Sequence, residues 1–589
     1  FAEKYGRFGS SFLPRLSRRP VRLTDAQRFL QYLHQRNRLQ SPTHSSGDLT
    51  PVNYVLNAYE KTAFAFRLLE GYLGRDSFDH AMQTYFHTWQ FRHPGPEDLR
   101  GVLESACICD LSWLFDGLLG TALLPDYAIA DITNDSLYLV NLGQLTPPVQ
   151  VLALRGDTVV REFWIDGFHG RRAIATDLVH ADRWQLYADE VSLDGRPDDN
   201  QILANGRRGK QTRLSWIGDV ADPGSNHLNI SVIPGWNKTD GGMLGLAVSN
   251  LHWPPRNLLW MAAPYYATGS ESLTGLGEIR YRLPGGSYRK HWELGLAGKS
   301  FHYDRDTAYG FRDRYLKLAG SLQLTLKPAD RFDTRTRYIR YRGVLVQQSY
   351  GRGIDFAQRL WSRERRHYWV NELRFLSEHP DPLAPNTLEI RFTQGKGFVR
   401  LTADIDQSFI YARGNKGIHL HGFAGWLPHR DAPLANVNFY FNGTSSNGFF
   451  SKDYLYDEIL LARNARSGIW SQQVFAKDAR LKTLYTGGVS DRWMVGAGLA
   501  VDLPWPIPVR PYLDFAVSPD LFDGKAQLNY SGGLALVLIP EVLEVYAPII
   551  ESREIRESLT YQTRKSLVQR MSFVINFKAL HPFDLFTKF

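Results

Sequence analysis

Cysteine is nearly absent: two residues in 589, Cys107 and Cys109, with only five methionines beside them. Thiols one residue apart are too close for an ordinary disulfide, and no His or further Cys stands at metal-ligand spacing. They are expected to be packing residues of the apolar segment Leu103–Leu119. Long apolar runs are missing as well. No window approaches the ~18–20 residues of a spanning helix, which excludes a helical membrane protein. A barrel is not excluded, because alternating strands average out as polar, and the mean hydropathy is −0.32. The net charge is +9 and the pI 9.2, yet there is no compact basic run or nucleic-acid module, so nucleic acid is not an expected partner. Nor is there a secretory leader. The chain opens Phe1-Ala2-Glu3-Lys4, without a basic n-region or an apolar h-region, so an exported protein is expected to have lost something upstream.

What is abundant is aromatic: 29 Tyr, 33 Phe and 15 Trp, 13% of the chain. Three pattern regimes divide the sequence into expected domains at 1–124, 125–210 and 211–589. The first is helical. Leu56, Tyr59, Ala63, Phe66 and Leu73 form one stripe, and Gly74 stands where a C′ glycine belongs. Asp76–Trp89 predicts a second helix, and Glu97-Asp98-Leu99 opens a third after Pro94-Gly95-Pro96. A further helix is expected around Thr24–Gln35 in the connecting stretch Arg15–Leu49. In the second regime the period becomes two: Leu137–Val140, Val149–Leu154, Val159–Ile165 and Trp184–Tyr187 read as short strands of a small β-sandwich.

From about Gln211 the strands lengthen. Leu316, Leu318, Leu322, Leu324 and Leu326 oppose Lys317, Ser321, Gln323, Thr325 and Lys327. Trp292, Leu294 and Leu296, then Leu388, Ile390 and Phe392, then Val437, Phe439 and Phe441, then Val495, Ala497, Leu499 and Val501 repeat the pattern. Runs of ~9–11 residues ending in aromatics suit a tilted bilayer crossing, and Leu258-Leu259-Trp260 and Trp505 suit interfacial anchoring. The third domain is therefore expected to be an antiparallel transmembrane β-barrel of about 12 strands, with 10 to 16 admissible. Phe573–Phe577 would be its last strand, and Arg553–Arg570 and Gly448–Lys482 would be loops. Outer-membrane lipid is the expected partner, and its headgroups or a lumen would account for the arginines. Stacked soluble β-domains are the alternative. His419-x-His421 points both imidazoles to one strand face, as a lumen-facing or solvated pair rather than a metal site.

Tyr59-Glu60-Lys61, the apolar helix, Leu73-Gly74, Phe78, Tyr85 and Asp98-Leu99, followed by Leu111 and Trp113-Leu114-Phe115, resemble the aminopeptidase N family of zinc metallopeptidases. Asp126-Tyr127, Asn141-Leu142-Gly143, Pro147-Pro148-Val149 and Trp164-Ile165-Asp166-Gly167 are similar to its following β-domain. The likeness covers about residues 1–205. It implies that Tyr59 donates a hydrogen bond to the oxyanion formed when zinc-bound water attacks a peptide carbonyl, for which a preorganised donor supplies roughly 10²–10³ in rate. It also implies one Zn²⁺ held by a His-Glu-x-x-His helix and a later Glu. The chain contains no such motif, so zinc is expected only with an upstream segment, either cleaved and still bound or part of a longer chain. Phe1-Ala2-Glu3-Lys4-Tyr5 resembles the family's continuation just past the third ligand.

The expected function is an outer-membrane-anchored metallopeptidase-like protein that hydrolyses peptides near the N-terminus if completed by that segment. An even strand number with the C-terminus periplasmic would place its N-terminal domain in the periplasm. Two alternatives stand beside it. One is a non-catalytic barrel subunit of an envelope assembly that docks partners through a pseudo-peptidase domain. The other is a transporter whose lumen is lined by arginines such as Arg335, Arg337 and Arg340.

Overall fold

The computed structural model describes residues 23–35, 39–133, 135–176, 181–188, 193–207, 211–216, 225–252, 255–283, 291–306, 311–326, 333–355, 360–412, 416–431, 439–444, 453–463, 465, 467–475, 477–505, 507–521, 523–540, 542–564, 566–576 and 583. Phe1–Tyr5, Val437 and Phe589 lie outside them. The chain divides into two compact units. One holds residues 1–228 with 252–255, the other 229–251 with 256–589.

In the first unit α1 is Leu23–Gln35, α2 Pro51–Val55, α3 Thr62–Leu73, α4 Arg75–Trp89 and α5 Pro96–Cys107. Local chemistry sets their ends. Thr50 accepts from Asn53 N ahead of Pro51, and Gly74 takes φ 80° between α3 and α4. Asp98 reaches back 2.7 Å to Gly95 N at the start of α5. At the end of α5, Ile108 adopts φ 52° and turns Cys109 back onto Cys107, leaving the Cα atoms 5.1 Å apart. The two cysteines are joined in a disulfide, contrary to the expectation of free packing thiols. The left-handed residue supplies the reversal that spacing alone does not reveal.

Seven strands follow: β1 (Tyr127–Ile132), β2 (Ser136–Asn141), β3 (Val149–Arg155), β4 (Thr158–Ile165), β5 (Gly170–Ala175), β6 (Arg183–Leu186) and β7 (Gln201–Leu203). They form one sheet ordered β1-β2-β5 and another ordered β4-β3-β6-β7. Ile129, Leu137 and Leu139 of the first share a core with Val151, Ala153 and Trp184 of the second and with Phe64, Leu68 and Leu103 of the helices. The short β8 (Gln211–Ser215) comes next in the chain.

The large sheet holds 18 strands. Its first run comprises β9 (Ser225–Asn237), β10 (Gly241–Ser249), β11 (Leu258–Ala267), β12 (Ser272–Arg282), β13 (His291–Asp306) and β14 (Phe311–Thr325). Then come β15 (Thr336–Asp355), β16 (Leu360–His379), β17 (Asn386–Gly395), β18 (Phe398–Ala412) and β19 (Lys416–Arg430). A segment, 431–492, interrupts the order with β20 (Phe441–Asn442), β21 (Gln473–Val474) and β22 (Val489–Ser490). The sheet resumes with β23 (Trp493–Val501), β24 (Val509–Pro519), β25 (Ala526–Ile539), β26 (Leu543–Glu551) and β27 (Ser572–Ile575). Each of β9–β19 pairs antiparallel with the next, β19 pairs with β23, and the order continues to β27, making a meander of sixteen strands. That is above the central count of twelve and at the upper end of the 10 to 16 admitted from pattern. Short alternating runs hide strand number, because adjacent hairpins with brief turns merge into one pattern.

Two further expectations fail. Phe439 and Phe441 belong to no long strand; both are buried in the interrupting segment, where β20 is two residues long. Arg553–Arg570 is not simply a loop: it folds as α6 (Arg553–Tyr561) and α7 (Leu567–Arg570), with Ile555 and Leu559 buried. No helix among the described residues is long and apolar enough to cross a membrane.

Candidate functional site: Tyr59 and the inner face of the meander

Between α2 and α3, residues Leu56–Lys61 widen into a π-helical turn, a deviation that recurs at functional sites. The widening sends its residues in different directions. Tyr59 is 58% exposed, and its hydroxyl lies 3.3 Å from that of Tyr54, whose ring meets it edge-on. That hydrogen bond holds the Tyr59 phenol above its ordinary pKa. Asn57 and Lys61 point inward and are fully buried. Lys61 donates to the Thr121 carbonyl at 2.8 Å, and burial lowers its pKa to about 7. Neither polar atom of the Asn57 side chain has a hydrogen-bond partner among the described residues. The sequence set Tyr59 on one apolar stripe with Leu56, Ala63, Phe66 and Leu73, but Tyr59 and Ala63 are exposed and the buried side holds Asn57, Lys61, Phe64 and Leu68, because a 3.6-residue period assigns no inward direction to a π turn.

Helix α1 ties this region to the sandwich. Gln31 donates to Asp194 O at 2.9 Å and Gln35 to Gly195 O at 3.0 Å. The Asp194 carboxylate accepts from Tyr127 N and Arg196 N, while complete burial raises its pKa to about 8. His34 is lowered to about 4, first by burial and then by the Lys61 charge. No group of three or more His, Cys, Asp or Glu among the described residues is disposed to hold a metal ion.

The second unit concentrates charge on one face of the meander. Side chains alternate as the period of two requires: Leu316, Leu318 and Leu322 are exposed, while Lys317 is 6% exposed. On β15, Arg340 and Arg342 share the inner parity with buried Val344 and Val346. Arg335 and Arg337 have the other parity, and Arg337 pairs with Asp333 at 2.9 Å. Of the three arginines, only Arg340 therefore has the inner parity, in line with their imperfect alternation in the sequence.

The inner face is covered by segment 431–492. Asp457 receives Lys317 of β14 and Arg342 of β15, the latter at 2.7 Å, and Tyr456 donates to Gln348 of β15 at 3.1 Å. Tyr368 of β16 donates to Tyr454 O, and Arg400 of β18 pairs with Asp478. Arg480 reaches Asp406 of β18 at 2.8 Å. Lys482 reaches Asp514 of β24 at 2.8 Å, and Thr483 donates to Glu551 of β26 at 2.7 Å. Gln473 pairs in parallel with Phe573 of β27, and Lys238, just past β9, donates to Leu461 O at 2.7 Å. Trp470 packs at a tilt against Trp236 of β9, ring centroids 4.8 Å apart, and meets Phe573 of β27 at 6.4 Å. One segment thus touches the first strand of the meander, its last, and many between. Geometrically this requires the sheet to curl around it.

Neither a family model nor a curated protein matches the chain. Among solved structures it is similar to CdiB from Acinetobacter baumannii at TM-score 0.29 and 12% identity, over 59% of this chain and 58% of that one. It is similar to BamA from Haemophilus ducreyi lacking POTRA domains 1–3 at TM-score 0.31 and 12% identity, over 59% and 82%. It is also similar to Legionella pneumophila aminopeptidase A in complex with aspartic acid, at TM-score 0.24 and 18% identity, over 29% of this chain and 21% of that one.

Proposed function

We propose that the meander closes into a transmembrane β-barrel of the bacterial outer membrane. There the chain works as a subunit of an envelope assembly, and the N-terminal unit serves, without peptidase activity, as its docking module for peptides or other subunits. The observation that carries the membrane placement is the apolar outer face. Leu244, Leu273, Leu294, Leu318, Leu373, Ile390, Ile405, Trp426, Val495, Leu534 and Ile549, spread over β10 to β26, are all exposed, from 42% at Leu534 to 67% at Leu273. So continuous a surface exceeds the few hundred Å² of apolar patch that water-soluble monomers carry. Facing lipid, it removes that cost, while the charged inner face is neutralised by its ion pairs.

Closure is supported by the Trp236–Trp470–Phe573 contacts between the ends of the meander. Sixteen strands would bring the start of β9 and the end of β27 to the same side, which makes the N-terminal unit periplasmic in this reading. The filled interior favours an assembly subunit over an open pore.

Reconstitution tests the placement. The folded chain should migrate faster in unheated than in heated electrophoresis and should partition into liposomes. Leu318→Arg should destabilise the inserted state by roughly 2–4 kcal/mol, and Ser321→Arg, on the opposite parity, by much less. A chain that stays monodisperse in buffer without detergent overturns the membrane reading.

A second reading, aminopeptidase-type peptide hydrolysis with a zinc-holding partner segment, is favoured by the exposed Tyr59 phenol on its π turn. In that case Tyr59→Phe in the zinc-loaded full-length protein should lower peptide turnover by about 10²–10³ while the helical signal stays unchanged. Equal turnover rules out Tyr59 as the oxyanion donor.

A further inference from the structure

The His419-x-His421 pair takes part in none of the contacts between segment 431–492 and the sheet described above. On the β18–β19 ladder Ser408 lies directly opposite His419. Ser408 Oγ is 2.8 Å from His419 Nδ1, and His419 Nε2 is 2.8 Å from Asp502 Oδ2. The partners settle the tautomer. An ionised carboxylate only accepts, so Nε2 carries the proton and Nδ1 is left to accept from the serine hydroxyl. Asp502 is itself fixed by Gly417 N at 3.1 Å and Arg510 Nε at 2.9 Å. Its side chain is 15% exposed and that of His419 26% exposed, so the imidazole is held but reachable. Ser408 and His419 both open into a cavity of about 1040 Å³ whose wall also contains Ile410, Arg510, Val542 and Val574.

From this geometry we infer a serine-hydrolase centre on the inner face of the meander, with Ser408 as nucleophile, His419 as general base and Asp502 as the positioning residue, acting on carboxylic esters with an apolar acyl group. Ser408 Oγ attacks the ester carbonyl carbon and gives its proton to His419 Nδ1. Asp502 stabilises the imidazolium through Nε2–H. Collapse of the tetrahedral adduct breaks the ester C–O bond, and His419 returns the proton to the leaving alcohol. Water, deprotonated by His419, then releases the acid and restores Ser408. Relative to serine hydrolases in which Nε2 faces the nucleophile, the ring nitrogens exchange roles, which the chemistry permits because either can be the base. Ile410, Val542 and Val574 suit the acyl chain, and Arg510 brings guanidinium N–H donors to the same wall.

The test uses the full chain in detergent, a biotinylated fluorophosphonate as probe, and p-nitrophenyl acetate and butyrate as substrates. Expected is one adduct per chain, on the peptide carrying Ser408, and ester turnover that Ser408→Ala abolishes. His419→Gln should slow labelling by about 10² or more. Asp502→Ala should slow it comparably, and Asp502→Glu should recover part of the rate, which a merely structural carboxylate would not produce. Heat-modifiable migration of each variant checks that it is folded. No adduct on the folded wild-type chain, an adduct elsewhere, or His419→Gln labelling at the wild-type rate overturns the assignment. Because labelling does not depend on insertion, its failure leaves the membrane reading untouched.

Discussion

Deleting residues 445–486, with Thr444 joined to Gly487, is expected to turn a chain that passes little current in planar bilayers into one with stable conducting steps. The reason is width. A barrel of about sixteen strands leaves an interior too large for its own side chains to fill, and such barrels are open unless something occupies them. Here the occupant comes from between β19 and β23: Phe439, Phe441, Tyr454, Leu455, Leu481 and Leu484 pack with Val344, Val370 and Phe423 of the sheet in one core. The cut leaves its ends together, because Phe441 pairs with Ser490, Asn442 with Val489, and Gly443 N donates to Gly488 O. Lys317, Arg400 and Asp514 would then face water with no partner from the segment, and water solvates them at little cost. The measurement is single-channel conductance of the deletion and the intact chain, with heat-modifiable migration showing that both are folded. A folded, silent deletion variant would mean that the segment is not what blocks the interior.

The parts that sequence revealed and those it concealed differ in physical kind. Alternation is a local property, so Leu316, Lys317 and Leu318 announced their faces, and the exposures agree. Gly496 stands on the inner face of β23, opposite in parity to Val495 and Ala497. A Cβ at Gly496 would meet Ala479 at 2.7 Å, so that glycine records the close passage of the inserted segment. The path of that segment was not legible. Its anchors join residues far apart in the chain, 78 positions for Arg400–Asp478 and 140 for Lys317–Asp457, and no period relates them. Phe439 and Phe441 misled because a buried loop can show the same two-residue spacing as a strand. At Tyr59 the helical period put the phenol on the apolar stripe, but the outward turn of Tyr59 and the inward turn of Asn57 and Lys61 depend on a π bulge that propensity does not encode. Ser408, His419 and Asp502 met through strand register, which only the paired ladder supplies.

The Arg400–Asp478 pair should prove the most sensitive single anchor of the inserted segment. Both side chains are almost wholly buried, at 4% and 2% exposure. Asp478 also accepts from Asn442 N at 3.2 Å, and the Arg400 guanidinium lies 4.5 Å from the Phe441 ring centroid. Taking either charge away leaves the other buried without its counter-charge, so Asp478→Asn or Arg400→Met alone should each cost about 3–5 kcal/mol. The double variant should recover most of that loss. Neither charge then needs solvation, the methionine still packs on Phe441, and the amide oxygen introduced by Asp478→Asn can keep the Asn442 N–H. Arg430–Asp491 offers the contrast: the two side chains are 32% and 25% exposed, water reaches both charges, and Arg430→Met should cost less than half as much. Urea midpoints of the four members of the cycle, read by loss of the fast-migrating form, give the coupling directly. Strong coupling identifies the ion pair as what fixes the segment inside the sheet. Additive losses would instead assign the anchoring to the aromatic packing of Phe398 on Phe439, whose rings stack at 4.3 Å, and would predict that Phe439→Ala frees the segment while both charges remain paired.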